Sequence, residues 1–239
     1  MAQQRAAIVT GASSGIGLAI AEVLGEEGYA LTVAARRPEK LEEAAQGLKD
    51  KGYDVETVAG PLGDEEGVKA VVAAHRERYG RLDVLVNNAG VGIGAPVAEI
   101  DTKKLDLQLG VNLRSIILFY RETVDLLRAA AKEEGSALVV NTASIAGKRG
   151  QPWLSVYSAT KGAVVNFTEA MHKELSGEGI KSTALCPGFV ATAMTTFIQG
   201  QVPPEEMITT RDIGEAVRLL LKVSPACIIP EIQFIRPGE

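Results

Sequence analysis

The chain has 239 residues, 46% of them hydrophobic and 23% charged, with a formal net charge of −5 at pH 7. That length and apolar share suit one large domain with a substantial core, and the acidic balance speaks against general binding to nucleic acid or to an anionic membrane surface. Two cysteines, Cys186 and Cys227, lie far apart without metal-ligand spacing, so no metal site is expected and a reducing cytoplasm is the expected setting.

Short apolar runs alternate with longer amphipathic segments. The opening residues end in a glycine loop and have no signal-peptide pattern; no apolar run approaches membrane-spanning length. AAIVT (6–10) predicts a buried strand, and 15–27 a helix with Ile16, Ala19, Ile20, Val23 and Leu24 at helical spacing. ALTVAA (30–35) predicts a second strand, and 38–50 a helix opened by Pro38. A third strand is expected over 54–59 and a helix over 64–79. LDVLVNNAG (82–90) predicts a fourth strand running into a turn, and 101–132 one or two helices. Then come a strand over 136–144, a long helix over 155–177 and a strand over 180–188. After an irregular stretch, 210–222 predicts a helix and 228–235 a last strand, with Pro230 near its start. His75 and His172, in charged helical segments, are expected at the surface, and Cys186 in packing. The beat of strand and helix predicts a Rossmann-like, doubly wound α/β sheet of about seven parallel strands. Helices would cover both faces, giving three layers in a single domain over 1–239.

Thr10-Gly11-Ala12-Ser13-Ser14-Gly15-Ile16-Gly17 joins the first strand to the first helix. A helix N-terminus offers free N–H groups and the positive end of a dipole, which suit a pyrophosphate. Gly11 permits the tight turn, Gly15 a close approach of ligand to backbone, and Gly17 close helix packing. The other reading is a tight turn without a ligand. The second strand ends Ala34-Ala35-Arg36-Arg37-Pro38. An NAD site usually places an acid there for the ribose 2′-hydroxyl; two arginines suit a 2′-phosphate instead. The cofactor expectation is therefore NADP rather than NAD.

YSATK (157–161) puts a phenol and an ammonium one helical turn apart, on one face. Ser144 closes the fifth strand, at the carboxyl edge where open α/β sheets bind ligands. TGASSGIG, NNAG (87–90), Asn112 in VNLRS, Ser144, Tyr157, Lys161 and PGFVAT (187–192) occur in that order. Together they resemble the short-chain dehydrogenase/reductase family in its single-domain form, from residue 5 to about 222.

The resemblance implies hydride transfer between NADP(H) and a carbonyl/alcohol pair. Tyr157 would be the general acid in reduction and the base in oxidation. Lys161 would lower the Tyr157 pKa and hold the nicotinamide ribose. Ser144 would bind the substrate oxygen, and Asn112 would link Lys161 to solvent through a water. Ser13, Ser14 and Ile16 would join the three glycines around the pyrophosphate. Asn88, Ala89 and Gly90 would pass beside the adenosine ribose; Pro187, Gly188, Val190 and Thr192 would cradle the carboxamide. Gln151, Trp153, Phe189 and Met194 are the expected substrate contacts, with Phe197 on an apolar wall and a short substrate loop at about 192–209.

Two departures stand out. Pro61 occupies the place of an adenine-binding Asp, leaving the Leu62 backbone to meet the ring. The C-terminus, IIPEIQFIRPGE, lacks the paired glycines of many relatives, so a homodimer and a homotetramer both stay open. The leading expectation is an NADP-dependent reductase of small to medium apolar aldehydes or ketones. The alternatives are a 3-oxoacyl-carrier-protein reductase, with Lys148 and Arg149 as docking cations, and a non-catalytic NADPH sensor.

Overall fold

The computed structural model describes residues 3–198 and 202–238. Seven strands form one parallel sheet: β1 (Ala6–Thr10), β2 (Ala30–Ala35), β3 (Val55–Ala59), β4 (Val84–Asn87), β5 (Ala137–Thr142), β6 (Ile180–Pro187) and β7 (Glu231–Phe234). Their order across the sheet is β3-β2-β1-β4-β5-β6-β7. The chain reverses its direction of travel between β1 and β4, which register Ala7 on Val84 and Val9 on Val86. A crevice opens at the carboxyl ends of strands at such a switch point.

The helices are α1 (Gly15–Glu26), α2 (Pro38–Lys49), α3 (Glu65–Tyr79), α4 (Thr102–Leu109), α5 (Ser115–Glu134), α6 (Ser155–Leu175) and α7 (Thr210–Lys222). Alternate strand residues serve opposite faces. Ile8, Leu85 and Val139 pack with Val68 of α3, Phe119 of α5 and Val164 of α6. Ala7, Val9, Val86 and Val140 pack with Ile20 of α1, Leu41 of α2 and Val217 of α7. Both faces are therefore covered, as the apolar strands required. Each fully buried Val, Leu, Ile or Phe among them contributes about 1.5–3 kcal/mol.

The helix ends follow local chemistry. The Asp64 carboxylate accepts from Gly67 N–H at 2.8 Å, and Gly80, with φ of +68°, ends α3. At α7, Thr209 and Asp212 cap each other's backbone.

Three expectations are refined. The segment 101–132 forms two helices joined by a π turn, Gly110–Arg114, with Asn112 buried in it. The last strand begins at Glu231: the Pro230 carbonyl still accepts from Ala184 N–H at 2.9 Å, but proline has no N–H to continue the ladder. His75 is no surface residue. It is fully buried, bonded through Nε2 to the Arg81 carbonyl oxygen at 2.8 Å and through Nδ1 to Thr32 Oγ1 at 2.7 Å. Since a carbonyl can only accept, Nε2 carries the proton and Nδ1 accepts from Thr32.

Candidate active site

The turn after β1 is built on contacts that only glycine allows. Gly11 has φ of +67° and Gly15 φ of +59°. A Cβ on Gly17 would lie 2.4 Å from the Gly11 carbonyl oxygen and 2.5 Å from Asn88 Nδ2. Thr10, which the sequence reading passed over, ties this turn to the next strand. Its hydroxyl donates to Val86 O at 3.2 Å and accepts from Asn88 N–H at 2.9 Å and Ala89 N–H at 3.0 Å. The Asn88 amide donates to Thr10 O at 3.2 Å and its oxygen accepts from Thr142 Oγ1 at 3.2 Å. The first turn of α1 holds no acidic residue, and the Ser14 side chain caps none of its N–H groups. Those donors are left for an anion.

Arg36 and Arg37 are exposed at the end of β2. Among the described residues, neither pairs with a carboxylate. Beyond β3, Pro61 is exposed and Leu62 buried. Its loop touches the π turn: a Cβ on Gly110 would lie 3.2 Å from the Gly63 carbonyl oxygen.

Ser144, Tyr157, Lys161 and Asn112 come together across β5, α6 and the π turn. Lys161 is buried, and its ammonium donates to the Thr142 carbonyl oxygen at 2.7 Å. Its Nζ lies 5.7 Å from the centroid of the Tyr157 ring. The short turn Ile145–Gly147 after Ser144 rests on α6: a Cβ on Gly147 would be 2.5 Å from the Lys161 carbonyl carbon. That approach sets Ser144 beside Tyr157. The Ser144 hydroxyl accepts from Ala146 N–H at 3.1 Å and donates to Pro187 O at 3.3 Å. Asn112 accepts from Val91 N–H at 2.8 Å and donates to Val91 O at 2.9 Å and Thr160 Oγ1 at 3.1 Å. Gly90 sits between the two ends of this group, its hypothetical Cβ 3.3 Å from Lys161 Nζ and 3.5 Å from Asn112 Oδ1.

Burial dominates the titration here. It pushes the Tyr157 phenol above its usual 10, while the neighbouring Ser144 hydroxyl pulls the other way. It also pulls Lys161 down to about 8. The Lys161 ammonium lies over the Tyr157 ring, with one of its three donors on Thr142 O. The Cys186 thiol, under the same sheet edge, is pushed up to about 12 by burial, which makes it inert packing.

The segment 187–192 spans the mouth. Pro187 meets Ser144, Val190 is buried, and Thr192 reaches the glycine turn, its Cγ2 3.2 Å from where a Gly15 Cβ would stand. Gly188 N–H donates to the Phe234 carbonyl oxygen at 2.8 Å, which ties the segment to β7. Phe189 is exposed, with the Arg236 guanidinium 5.9 Å from its ring centroid. Met194 is half-exposed and its sulfur faces Gly92. The Gln151 side-chain amide donates to Arg149 O at 3.0 Å. The Phe197 side chain and residues 199–201 of the substrate loop lie outside the described residues.

The fold and this constellation define an oxidoreductase of the Rossmann type. The family model described as "short chain dehydrogenase" matches residues 5–202, and the chain belongs to the short-chain dehydrogenase family of oxidoreductases. A Streptomyces coelicolor protein that carries the name of a ketoacyl reductase is 42% identical over 235 residues, covering 98% of this chain and 85% of that protein. The crystal structure of an actinorhodin polyketide ketoreductase variant with NADPH aligns with a TM-score of 0.88 at 32% identity, over 98% of this chain and 97% of that one. A 3-ketoacyl-(acyl-carrier-protein) reductase of Brucella melitensis, in complex with NADH, aligns with a TM-score of 0.89 at 27% identity, over 99% and 98% of the two chains. No helix among the described residues is long and apolar enough to cross a membrane.

Proposed function

We propose that this protein is an NADP(H)-dependent carbonyl reductase that interconverts a ketone or aldehyde and its alcohol. The observation that carries the reading is the convergence of Ser144, Tyr157, Lys161 and Asn112 beside the glycine turn, at the carboxyl edge of the sheet.

The residues present suit a dinucleotide phosphate. Gly11 and Gly17 pack too closely on neighbouring residues for a side chain, and the tight turn they make borders the space in front of the uncapped N-terminus of α1. Ser13, Ser14 and Ile16 border that space. Arg36 and Arg37, exposed and free of carboxylates, suit a 2′-phosphate, and two of the ketoreductase and sorbose-reductase relatives of known structure hold NADPH. Asn88, Ala89 and Gly90, with Pro187, Gly188, Val190 and Thr192 opposite, would flank the ribose and nicotinamide, and the Leu62 backbone the adenine. When bound, the cofactor supplies or accepts the hydride.

The chain's own residues supply the proton and the orientation. A phenol whose pKa is raised stays protonated at neutral pH and serves as general acid toward the substrate oxygen. The Ser144 hydroxyl can turn from Pro187 O toward that oxygen and stabilise charge developing there. The Lys161 ammonium holds positive charge beside the ring, and Asn112 fixes the Val91 backbone next to it. In the reverse direction Tyr157 takes the proton back.

Apolar groups at the mouth, Trp153, Phe189 and Met194, favour an apolar carbonyl compound. A second reading, reduction of a 3-oxoacyl thioester, is favoured by the names of the relatives. Of its docking cations, Lys148 is already held by Glu231 at 2.7 Å, which leaves Arg149. A cytoplasmic homodimer or homotetramer is the proposed working form. Cofactor consumption with NADPH and NADH, over aldehydes, ketones and acetoacetyl thioesters, tests the reading with Tyr157→Phe as control. Turnover with NADPH that vanishes in the variant is the expected result; turnover that survives the variant overturns it.

A further inference from the structure

Thr142, the last residue of β5, meets both halves of the site through two different groups. Its carbonyl oxygen accepts from the Lys161 ammonium at 2.7 Å. Its hydroxyl donates to Asn88 Oδ1 at 3.2 Å. The carbonyl belongs to the main chain, which the sheet holds whatever side chain stands here. Thr142 pairs with Leu185 of β6, and the next residue, Ala143, donates its N–H to the Leu185 carbonyl oxygen at 2.7 Å. The hydroxyl is the side chain's own contribution, and it is buried, with Thr142 only 7% exposed.

The Asn88 amide that receives this hydroxyl is wedged into the glycine turn. Its Nδ2 donates to Thr10 O at 3.2 Å and to Gly11 O at 3.4 Å. The same nitrogen lies 3.0 Å from where a Gly11 Cβ would stand and 2.5 Å from where a Gly17 Cβ would stand. It therefore packs between the first and third glycines of the turn. An amide turned over would set Oδ1 against two carbonyl oxygens, which can only accept. The Thr142 hydroxyl supplies the donor at the other end, so both ends of the amide are matched in the observed orientation. Without that hydroxyl, Oδ1 loses its donor and the nitrogen loses the contact that holds it in the wedge.

We propose that the Thr142 side chain is a positioning residue for the cofactor: through Asn88 it holds the glycine turn in the shape that receives a dinucleotide pyrophosphate. The inference rests on the dinucleotide half of the proposed function. The turn faces the part that NADP(H) and NAD(H) share. The effect of the hydroxyl is therefore equal for the two cofactors, unlike that of Arg36 and Arg37. It is also separate from the proton chemistry, because Lys161 is held by the Thr142 main chain and not by its side chain.

Equilibrium binding of NADPH and NADH, followed by the fluorescence of the reduced nicotinamide, reads the effect without turnover. Thr142→Val keeps the β-branched shape and removes the hydroxyl, whereas Thr142→Ser keeps the hydroxyl. Thr142→Val should raise Kd for both dinucleotides by one common factor, roughly three- to ten-fold, and Thr142→Ser should restore most of the affinity. In an Asn88→Ala background the Val substitution should add nothing further. In turnover, KM for the dinucleotide should rise with Kd, while kcat at saturation changes by less than about two-fold. An unchanged Kd in Thr142→Val, an equal loss in Thr142→Ser, a loss confined to NADPH, or additive losses on Asn88→Ala each overturn the proposal. The expected binding pattern without reduction of any carbonyl compound supports the positioning role and removes the reductase reading. A parent protein that binds neither dinucleotide overturns both.

Discussion

The Lys161 ammonium and the Thr142 carbonyl oxygen, 2.7 Å apart, bind the first half of the long helix α6 to the end of strand β5. The contact holds the charge of Lys161 over the Tyr157 ring, 5.7 Å from its centroid. It also keeps a cation inside the protein, where burial lowers its pKa from 10.5 to about 8.

That burial is a stability cost at neutral pH. Between pH 8 and 10.5 the unfolded chain binds the Lys161 proton and the folded chain does not, so stability should rise with pH through that window. The full shift corresponds to about 3 kcal/mol. Lys161→Met removes it but orphans Thr142 O, which costs about 1–3 kcal/mol. The variant should lose activity and be at least as stable as the parent at pH 7. Urea unfolding at pH 7 and pH 10 checks this, the parent gaining on the variant at the higher pH.

The pH profile of ketone reduction should separate the two groups. Tyr157 is raised above 10, so the proton it donates is not lost in the ordinary range. A falling limb of kcat/KM near pH 8 would then belong to Lys161. Substituting Asn112 should leave that limb in place, whereas Lys161→Arg should remove it. A limb that persists in Lys161→Arg assigns it elsewhere.

On the NADP(H) reading, Arg36 and Arg37 would carry the cofactor preference. Charge-assisted hydrogen bonds contribute about 1.5–3 kcal/mol each, so Arg36→Ala or Arg37→Ala should raise KM for NADPH by roughly ten- to a hundred-fold. KM for NADH should change little. Equal effects on the two cofactors would remove the 2′-phosphate argument.

His75 should make the protein acid-sensitive. Burial lowers its pKa from 6.5 to about 4. Below pH 6.5 the unfolded chain takes up a proton that the folded chain refuses, so stability present above 6.5 is lost as pH falls toward 4. The whole shift is worth about 3 kcal/mol. His75→Leu should be less stable at pH 7, since Thr32 and Arg81 O lose their partner, and should lose less on acidification. Denaturant midpoints at pH 7 and pH 4.5 measure the difference.

Gly17→Ala should abolish cofactor binding and lower the melting temperature, because its Cβ would meet the Gly11 carbonyl oxygen at 2.4 Å. Gly28→Ala is the control. Gly28 has φ of +83° with nothing near its Cβ position, so only backbone strain, about 1 kcal/mol, should appear.

The strands were legible because apolar runs buried on both faces carry an unambiguous signal, and the glycine turn because its context was. What escaped was written in tertiary contacts. Thr10 and Thr142 look like ordinary strand-end threonines until β1, β4 and β5 are side by side. The family resemblance implied a helix interruption at Asn112, but not that it takes the form of a π turn. His75 was different: Val68, Val71, Val72 and His75 follow the spacing of one buried helix face, and the neighbouring HRERY charges hid a pattern that was present. The position of Trp153 over Gly94 depends on a backbone angle that no spacing predicts.

The sheet order has a consequence for synthesis. β1 lies inside the sheet, flanked by β2 and β4, and β3 forms one edge. A nascent chain that has reached Asn87 holds all four strands beneath the glycine turn, while Asn112, Ser144, Tyr157 and Lys161 are still untranslated. The half that would grip a nucleotide is synthesised before any residue of the chemical group.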